Sequence, residues 1–325
     1  MAGRISTRPI SSFTVMLAIL AACLPAMACK PAPPPDEVKL LLNWYHEAEF
    51  AGYYAAVERG FYKRQRITLE IQEGGPGIGT TVPLKNKEVD FAIATEDVQR
   101  RRMVAGDPTV TVLAAFQIPP TIFFSLAGSG IRTPADMVGR RVAVDSTYRH
   151  RLVQSLLRNA KVDPASVVEV EVEGNPIEKL FAGEVDVWFG FVHDEPVQAR
   201  MAGHEVNLIF LADYGIGTYE GLLLTLQETI DTDPDLVARF VKATQEGWRY
   251  VVEHPDAAAD IVAKWQPGET PEFHRLAVRA LVSLVDTGQV PIGWIDEERW
   301  KTGMGDAYAP DRPGYSMAFQ EPPRR

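Results

Sequence analysis

Within eleven residues the chain places Asn43, Trp44, Tyr45, Glu47, Glu49 and Tyr53: an amide, three aromatic rings and two carboxylates. Such a set suits the capture of a flat heteroaromatic molecule. Rings stack on its faces, while an amide and acids match ring nitrogens, an exocyclic amine or a hydroxyl. The plainer alternative for each acid is an exposed surface carboxylate, and for Asn43 a turn residue bonding its own backbone. Covalent chemistry finds little equipment here. There is no GxSxG, HExxH or GxxxxGK[ST] pattern. The six histidines, His46, His150, His193, His204, His254 and His274, lack metal-ligand spacing. No metal, no cofactor and no enzyme activity are expected on these grounds.

The elements around this stretch must present it at the end of a sheet. An apolar run at 38–42 reads as a buried strand, the pattern at 48–63 as one helix, and the alternation of Ile67, Leu69 and Ile71 as a second strand. Gly74, Gly75, Pro76 and Gly77 then close the unit, and Gly75 would let the backbone approach a ligand. In open α/β sheets ligands lie beyond the carboxyl ends of strands, where both turns fall. Further aromatic residues stand at strand ends or turns: Phe116, Phe191, Tyr214 and Tyr219. Thr95 ends the run 89–94 and reads as a helix N-cap or a ligand contact. Glu195 reads as a first-turn acid at a helix N-terminus.

Strands and helices then alternate through 109–211, arguing for mostly parallel sheets with helices on both faces. An apolar run follows at 221–226, and helices fill the remainder from Asp233 onward. The chain of 325 residues, with 46% hydrophobic and 23% charged content, is that of a soluble globular protein with ample material for a core. A formal charge of −10 without a basic tract speaks against a nucleic-acid partner.

The N-terminus has the make-up of an export signal: Arg4 and Arg8, an apolar stretch from Phe13 to Ala22 too short to span a bilayer, then small residues. Cys23 follows Leu20-Ala21-Ala22, which resembles the bacterial lipoprotein processing box, with Cys29 as the alternative site. A secreted chain without a lipid is the plainer reading. A proline-rich tether, Lys30 to Pro35, comes next.

The order NWYHEAE, AGY, GFY and GGPG resembles the periplasmic substrate-binding proteins that deliver thiamine-pyrimidine precursors, and their riboflavin-binding relatives. VDFAIAT, TPADMVGRRVAV, VDVWFGFVHDEP and DYGIGTYEG extend that resemblance over most of the mature chain. It departs at Phe50, where related proteins often carry histidine. What the resemblance implies is an α/β, two-lobed periplasmic-binding-protein-like (type II) fold, with the ligand cleft between lobes and Glu195 facing it from the second lobe. Its segments would be a signal peptide 1–22, a tether 23–36, a first lobe 37–125 and 221–325, and a second lobe 126–220. It further implies an extracytoplasmic, lipid-anchored, monomeric solute-binding protein of an ABC importer. The partners would be a small heteroaromatic ligand, foremost a thiamine-pyrimidine precursor, and a membrane permease. Riboflavin and a sulfonate or nitrate are the other ligands of this fold. A related eukaryotic enzyme family builds the thiamine pyrimidine from its own histidine and a bound pyridoxal cofactor. The cysteine-rich iron-binding stretch of those enzymes is missing, since no cysteine lies past Cys29.

Overall fold

The computed structural model describes residues 1–3, 34–174, 176–320 and 322. Cys23, Cys29 and the expected signal segment lie outside the described residues, as does most of the tether. Residues from Pro35 onward make one compact unit. Its strands among the described residues are β1 Asp36–Leu41, β2 Ile67–Gln72, β3 Phe91–Ala94, β4 Thr109–Phe116, β5 Thr121–Leu126, β6 Arg141–Val144, β7 Val168–Glu171, β8 Trp188–Phe191, β9 Val206–Phe210 and β10 Glu220–Leu226. The helices are α1 Ala51–Glu58, α2 Phe61–Arg64, α3 Thr81–Lys85, α4 Glu96–Val104, α5 Thr147–Asn159, α6 Glu178–Phe181, α7 Glu195–Met201, α8 Gln227–Thr232, α9 Pro234–Glu253, α10 Pro255–Trp265, α11 Pro271–Val285 and α12 Glu297–Met304. No described helix is long and apolar enough to cross a membrane.

The larger sheet has the order β2-β1-β3-β10-β4, and a second of three strands runs β8-β5-β9. A parallel pair, β6-β7, joins β8's approach through a bridge between Val142 and Val187. Pairing is parallel at β1-β2, β1-β3 and β6-β7. It is antiparallel wherever β5 or β10 takes part. Those two strands follow the passages from one sheet to the other, at 117–120 and 211–219, so they enter against the direction of their neighbours. The α/β class is as expected, with this mixed pairing added.

Helix 48–63 is interrupted. Ala48–Phe50 is a short 3₁₀ turn continuing into α1, and Gly60, at φ +69°, ends the run before α2. Such a left-handed conformation favours glycine. The main core lies between β1, β3 and β4 on one side and α1, α9, α10 and α11 on the other, with Trp248 fully enclosed. Helix α1 sits close on α9 because two glycines face each other there. A Cβ on Gly52 would lie 2.3 Å from the Trp248 ring, and one on Gly247 would lie 2.0 Å from the Gly52 carbonyl oxygen. Deep between α2 and α9, the Tyr62 and Thr244 hydroxyls are 2.7 Å apart. A second core, around Trp300, Tyr219 and Met103, covers the sheet's other face. Every residue of the edge strand β4 is buried, because later segments bridge to it at Thr111–Tyr315 and Ala114–Gly293.

Both passages between sheets are held by one side chain. Arg299 on α12 donates to the carbonyl oxygens of Gln117, at 2.7 Å, and Thr218, at 2.6 Å. Its guanidinium lies 4.3 Å over the Tyr219 ring.

Candidate ligand-binding site

Strand β1 ends in a turn that exposes two aromatic rings. Trp44 and Tyr45 are 41% and 51% exposed, and their rings meet edge to face at 5.5 Å. Beside them the Asn43 Oδ1 is buried without a hydrogen-bond partner. The glycine turn after β2 packs directly on this one. Gly74 donates to the Trp44 carbonyl oxygen at 3.0 Å, and a Cβ at Gly74 would meet the Leu42 oxygen at 2.2 Å. Gly75, at φ +155°, brings its backbone under the Tyr45 ring, which a Cβ would meet at 3.1 Å. The glycines therefore position the aromatic platform. His46 turns the other way, its Nδ1 2.9 Å from the Tyr54 hydroxyl and its ring against Trp265.

The next turn carries the acids. Glu49 is 6% exposed and stands close to Glu47, whose Oε1 lies 3.4 Å from His193 Nε2. One oxygen of each glutamate and a ring nitrogen of His193 lie within 4.8 Å of one another. Burial, and then the neighbouring Glu47 charge, push the Glu49 carboxyl well above the ordinary carboxylate range. For His193 burial acts downward. The Glu47 hydrogen bond and the charges of Glu47, Glu49 and Asp194 outweigh it and raise the imidazole to about 9. Tyr53 lies beneath, 1% exposed, edge-on to Trp248, with its hydroxyl unpartnered. The acidic character continues: the Glu220 carboxyl is raised by burial, then by Glu49, with Glu96 and Asp97 adding to it. Tyr148 on α5, 46% exposed, is in reach of the Glu220 and Asp97 charges.

The fold thus gathers Asn43, Trp44, Tyr45 and Gly75 in one group. It gathers Glu47, Glu49 and Tyr53 in another, with His193 and, beside its ring at 5.9 Å, the half-buried Phe191. The other candidates have structural partners. Thr95 is the N-cap of α4 and accepts from the Val98 amide. Phe116 is fully enclosed against Trp248, 5.5 Å between centroids. Tyr219 is likewise enclosed, its hydroxyl accepting from the Asp296 amide at 2.8 Å. Glu195 is 3% exposed; its Oε2 accepts from the Phe191 amide at 2.9 Å and would lie 2.5 Å from a Cβ at Gly190. Tyr214, half-buried, packs in the core of the three-stranded sheet, and its carbonyl accepts from Asn159. Phe116 and Tyr219 present no surface to a ligand, because strand-end position does not reveal which side of the sheet a ring takes. A separate depression of about 720 Å³, lined by Gln117, Trp294, Asp296 and Arg299 among others, lies beside the passages between sheets.

His193 and Glu220 are the residues that sequence reasoning passed over. The one available signal for His193 was its place in a polar HDE run directly after a buried strand.

Comparison with known proteins bears on the same elements. A 4-amino-5-hydroxymethyl-2-methylpyrimidine phosphate synthase of Legionella pneumophila is 27% identical over 250 residues, 76% of this chain and 79% of that protein. A formylaminopyrimidine-binding protein of Halalkalibacterium halodurans is 21% identical over 304 residues, covering 90% and 92% of the two chains. The periplasmic aliphatic sulphonate binding protein SsuA of Escherichia coli superposes with a TM-score of 0.66 at 14% identity, over 84% of this chain and 91% of that one. The periplasmic-binding-protein fold implied by the motifs is therefore present. The expectation that the chain is no enzyme is corrected by the first of these relatives. Proteins named as synthases match it over 68–76% of its length, so absent hydrolase and kinase motifs exclude only those chemistries. The model described as NMT1/THI5 like matches residues 47–258, from the acidic turn to α10, and the chain belongs to that family.

Proposed function

We propose that this chain is an extracytoplasmic solute-binding protein of an ABC importer that holds a small heteroaromatic ligand, an aminopyrimidine of the thiamine-precursor type. The observation that carries this reading is the platform itself: two exposed rings beside a buried Asn43 oxygen that lacks a donor. A ring stacked on Trp44 or Tyr45 with an exocyclic amine at its edge supplies that donor. The lobes are 37–125 with 221–325, and 126–220. Ligand contacts to both stabilise the closed form, which the permease recognises. The formylaminopyrimidine-binding relative and the sulphonate-binding neighbour support the carrier role. The pair of acids Glu47 and Glu49, which can accept from an amine, favours an amine-bearing ligand over a sulfonate. Lipidation at Cys23, or at Cys29, would hold the protein at the membrane.

A second reading, a pyrimidine phosphate synthase, is favoured by the Legionella relative. The test is calorimetry and thermal shift with hydroxymethyl- and formylamino-pyrimidines, riboflavin and an alkanesulfonate, alongside product analysis after long incubation with pyridoxal phosphate. A ligand that binds only the folded state raises the melting temperature. Reversible binding of a pyrimidine, lost about 5–150-fold in Trp44→Ala as expected for one stacked base, supports the carrier. Appearance of a pyrimidine phosphate supports the synthase. A response to the sulfonate alone overturns both.

A further inference from the structure

We propose that Glu47, Glu49 and His193 form a binding site for a divalent transition-metal cation, with zinc the best fit. The three come from segments 146 residues apart, and nothing in their local sequence holds them together. Glu47 and Glu49 flank the first 3₁₀ residue before α1. His193 lies in the turn between β8 and α7. One ligand atom from each is already within 4.8 Å of the others. Ligands on tetrahedral zinc, with bonds of about 2.0–2.2 Å, stand about 3.3–3.5 Å apart. Rotation of the glutamate side chains through about 1 Å closes that difference.

The charge balance points the same way. Two carboxylates face each other at a place where Glu49 is 6% and His193 2% exposed. Among the described residues no lysine or arginine makes an ion pair with either acid. Their one cationic neighbour is His193, at the long separation of 3.4 Å. Buried carboxyl groups in contact either share a proton or coordinate a cation, and a bound metal takes the proton's place.

An independent observation comes from Tyr53. It follows Glu49 by four residues along a continuous helical run, which places both on one face. Its hydroxyl is buried without a partner, in a residue only 1% exposed, and is close enough for the Glu49 charge to bear on it. A cation or its bound water at the carboxylates would give that hydroxyl the partner it lacks. His193 Nδ1 is also buried and unpartnered. One imidazole and two carboxylates suit zinc, manganese or iron(II), whereas magnesium and calcium prefer all-oxygen sets. Three protein ligands leave a coordination position open.

The test uses the full chain, purified without a polyhistidine tag and stripped with chelator, titrated by calorimetry with zinc, manganese and magnesium chlorides in the absence of any organic ligand. Zinc should bind one per chain and raise the melting temperature, and magnesium should do neither. Glu49→Gln and His193→Gln, which keep side-chain volume, should each weaken zinc at least 10-fold. His204→Gln, in the turn after α7 with its ring stacked on Phe181, should leave affinity unchanged. Cobalt substitution adds a readout, since visible absorption bands of a low-coordinate site should vanish in the same two variants. The absence of a one-to-one zinc isotherm overturns the proposal. So does an isotherm that survives both substitutions, which would mark adventitious binding by surface groups. A melting scan of each variant without metal separates loss of binding from loss of folding. Because no pyrimidine is present, failure here leaves the proposed carrier role untouched.

Discussion

Replacing Gly247 by alanine should both loosen the fold and displace the site. The new Cβ would stand 2.0 Å from the Gly52 carbonyl oxygen and 2.8 Å from the Ala56 Cβ. Carbon and other heavy atoms rest at about 3.5 Å or more, so α1 and α9 must part by over about 1 Å. The obstacle is backbone rather than a side chain that can rotate away. Overpacking of a core costs about 1–3 kcal/mol, and the upper end applies to a backbone clash. With each kcal/mol worth at most roughly 2–4 °C, the range for about 150–250 residues, in this larger unit, the melting temperature should fall by about 6 °C. Because α1 carries Tyr53 and continues from Glu49, ligand affinity should fall as well. Differential scanning calorimetry with a ligand titration reads both. Gly268→Ala is the control, since its Cβ would meet nothing within 4 Å. A Gly247→Ala protein that melts with the control and binds as the parent does would refute the packing argument.

Three other outcomes follow from the same geometry. Glu220 holds its proton more tightly folded than unfolded, so its penalty is absent below the ordinary value near 4.5 and grows as pH rises above it. Glu220→Gln should therefore raise the melting temperature at pH 7–8 and change it little at pH 4; an equal gain at both would sink the assignment. Thr95→Ala should cost about 1 kcal/mol in urea denaturation while leaving ligand affinity intact, since Thr95 caps α4; a large affinity loss would instead make it a contact. Arg299→Ala and Arg299→Lys should both lower stability, because neither side chain spans the carbonyls of Gln117 and Thr218 as the guanidinium does; chemical denaturation of the two variants checks this, and a fully stable lysine variant would show that charge alone suffices.

Much of the element order was written along the chain. Alternating apolar residues mark β2, the continuous apolar run marks β4, and Pro255, Pro271 and Asp233-Pro234 open α10, α11 and α9 as N-terminal prolines do. These are short-range signals, and hydrophobic period and capping chemistry suffice to read them. The aromatic platform was legible for the same reason, being one turn between one strand and one helix. What lay beyond reading was any contact between distant segments. That Phe116 and Tyr219 turn into the core, that Glu195 is spent on the Phe191 amide, and that β5 and β10 run against their neighbours follow from which faces the sheets bury. The meeting of Glu47 and Glu49 with His193 is the strongest case. Local patterns report which residues share a turn or a face, whereas closing a span of 146 residues depends on the packed sheets and helices between them. The sequence by itself determined the order of the parts and the exposed rings; the tertiary structure decided which charges the rings stand beside.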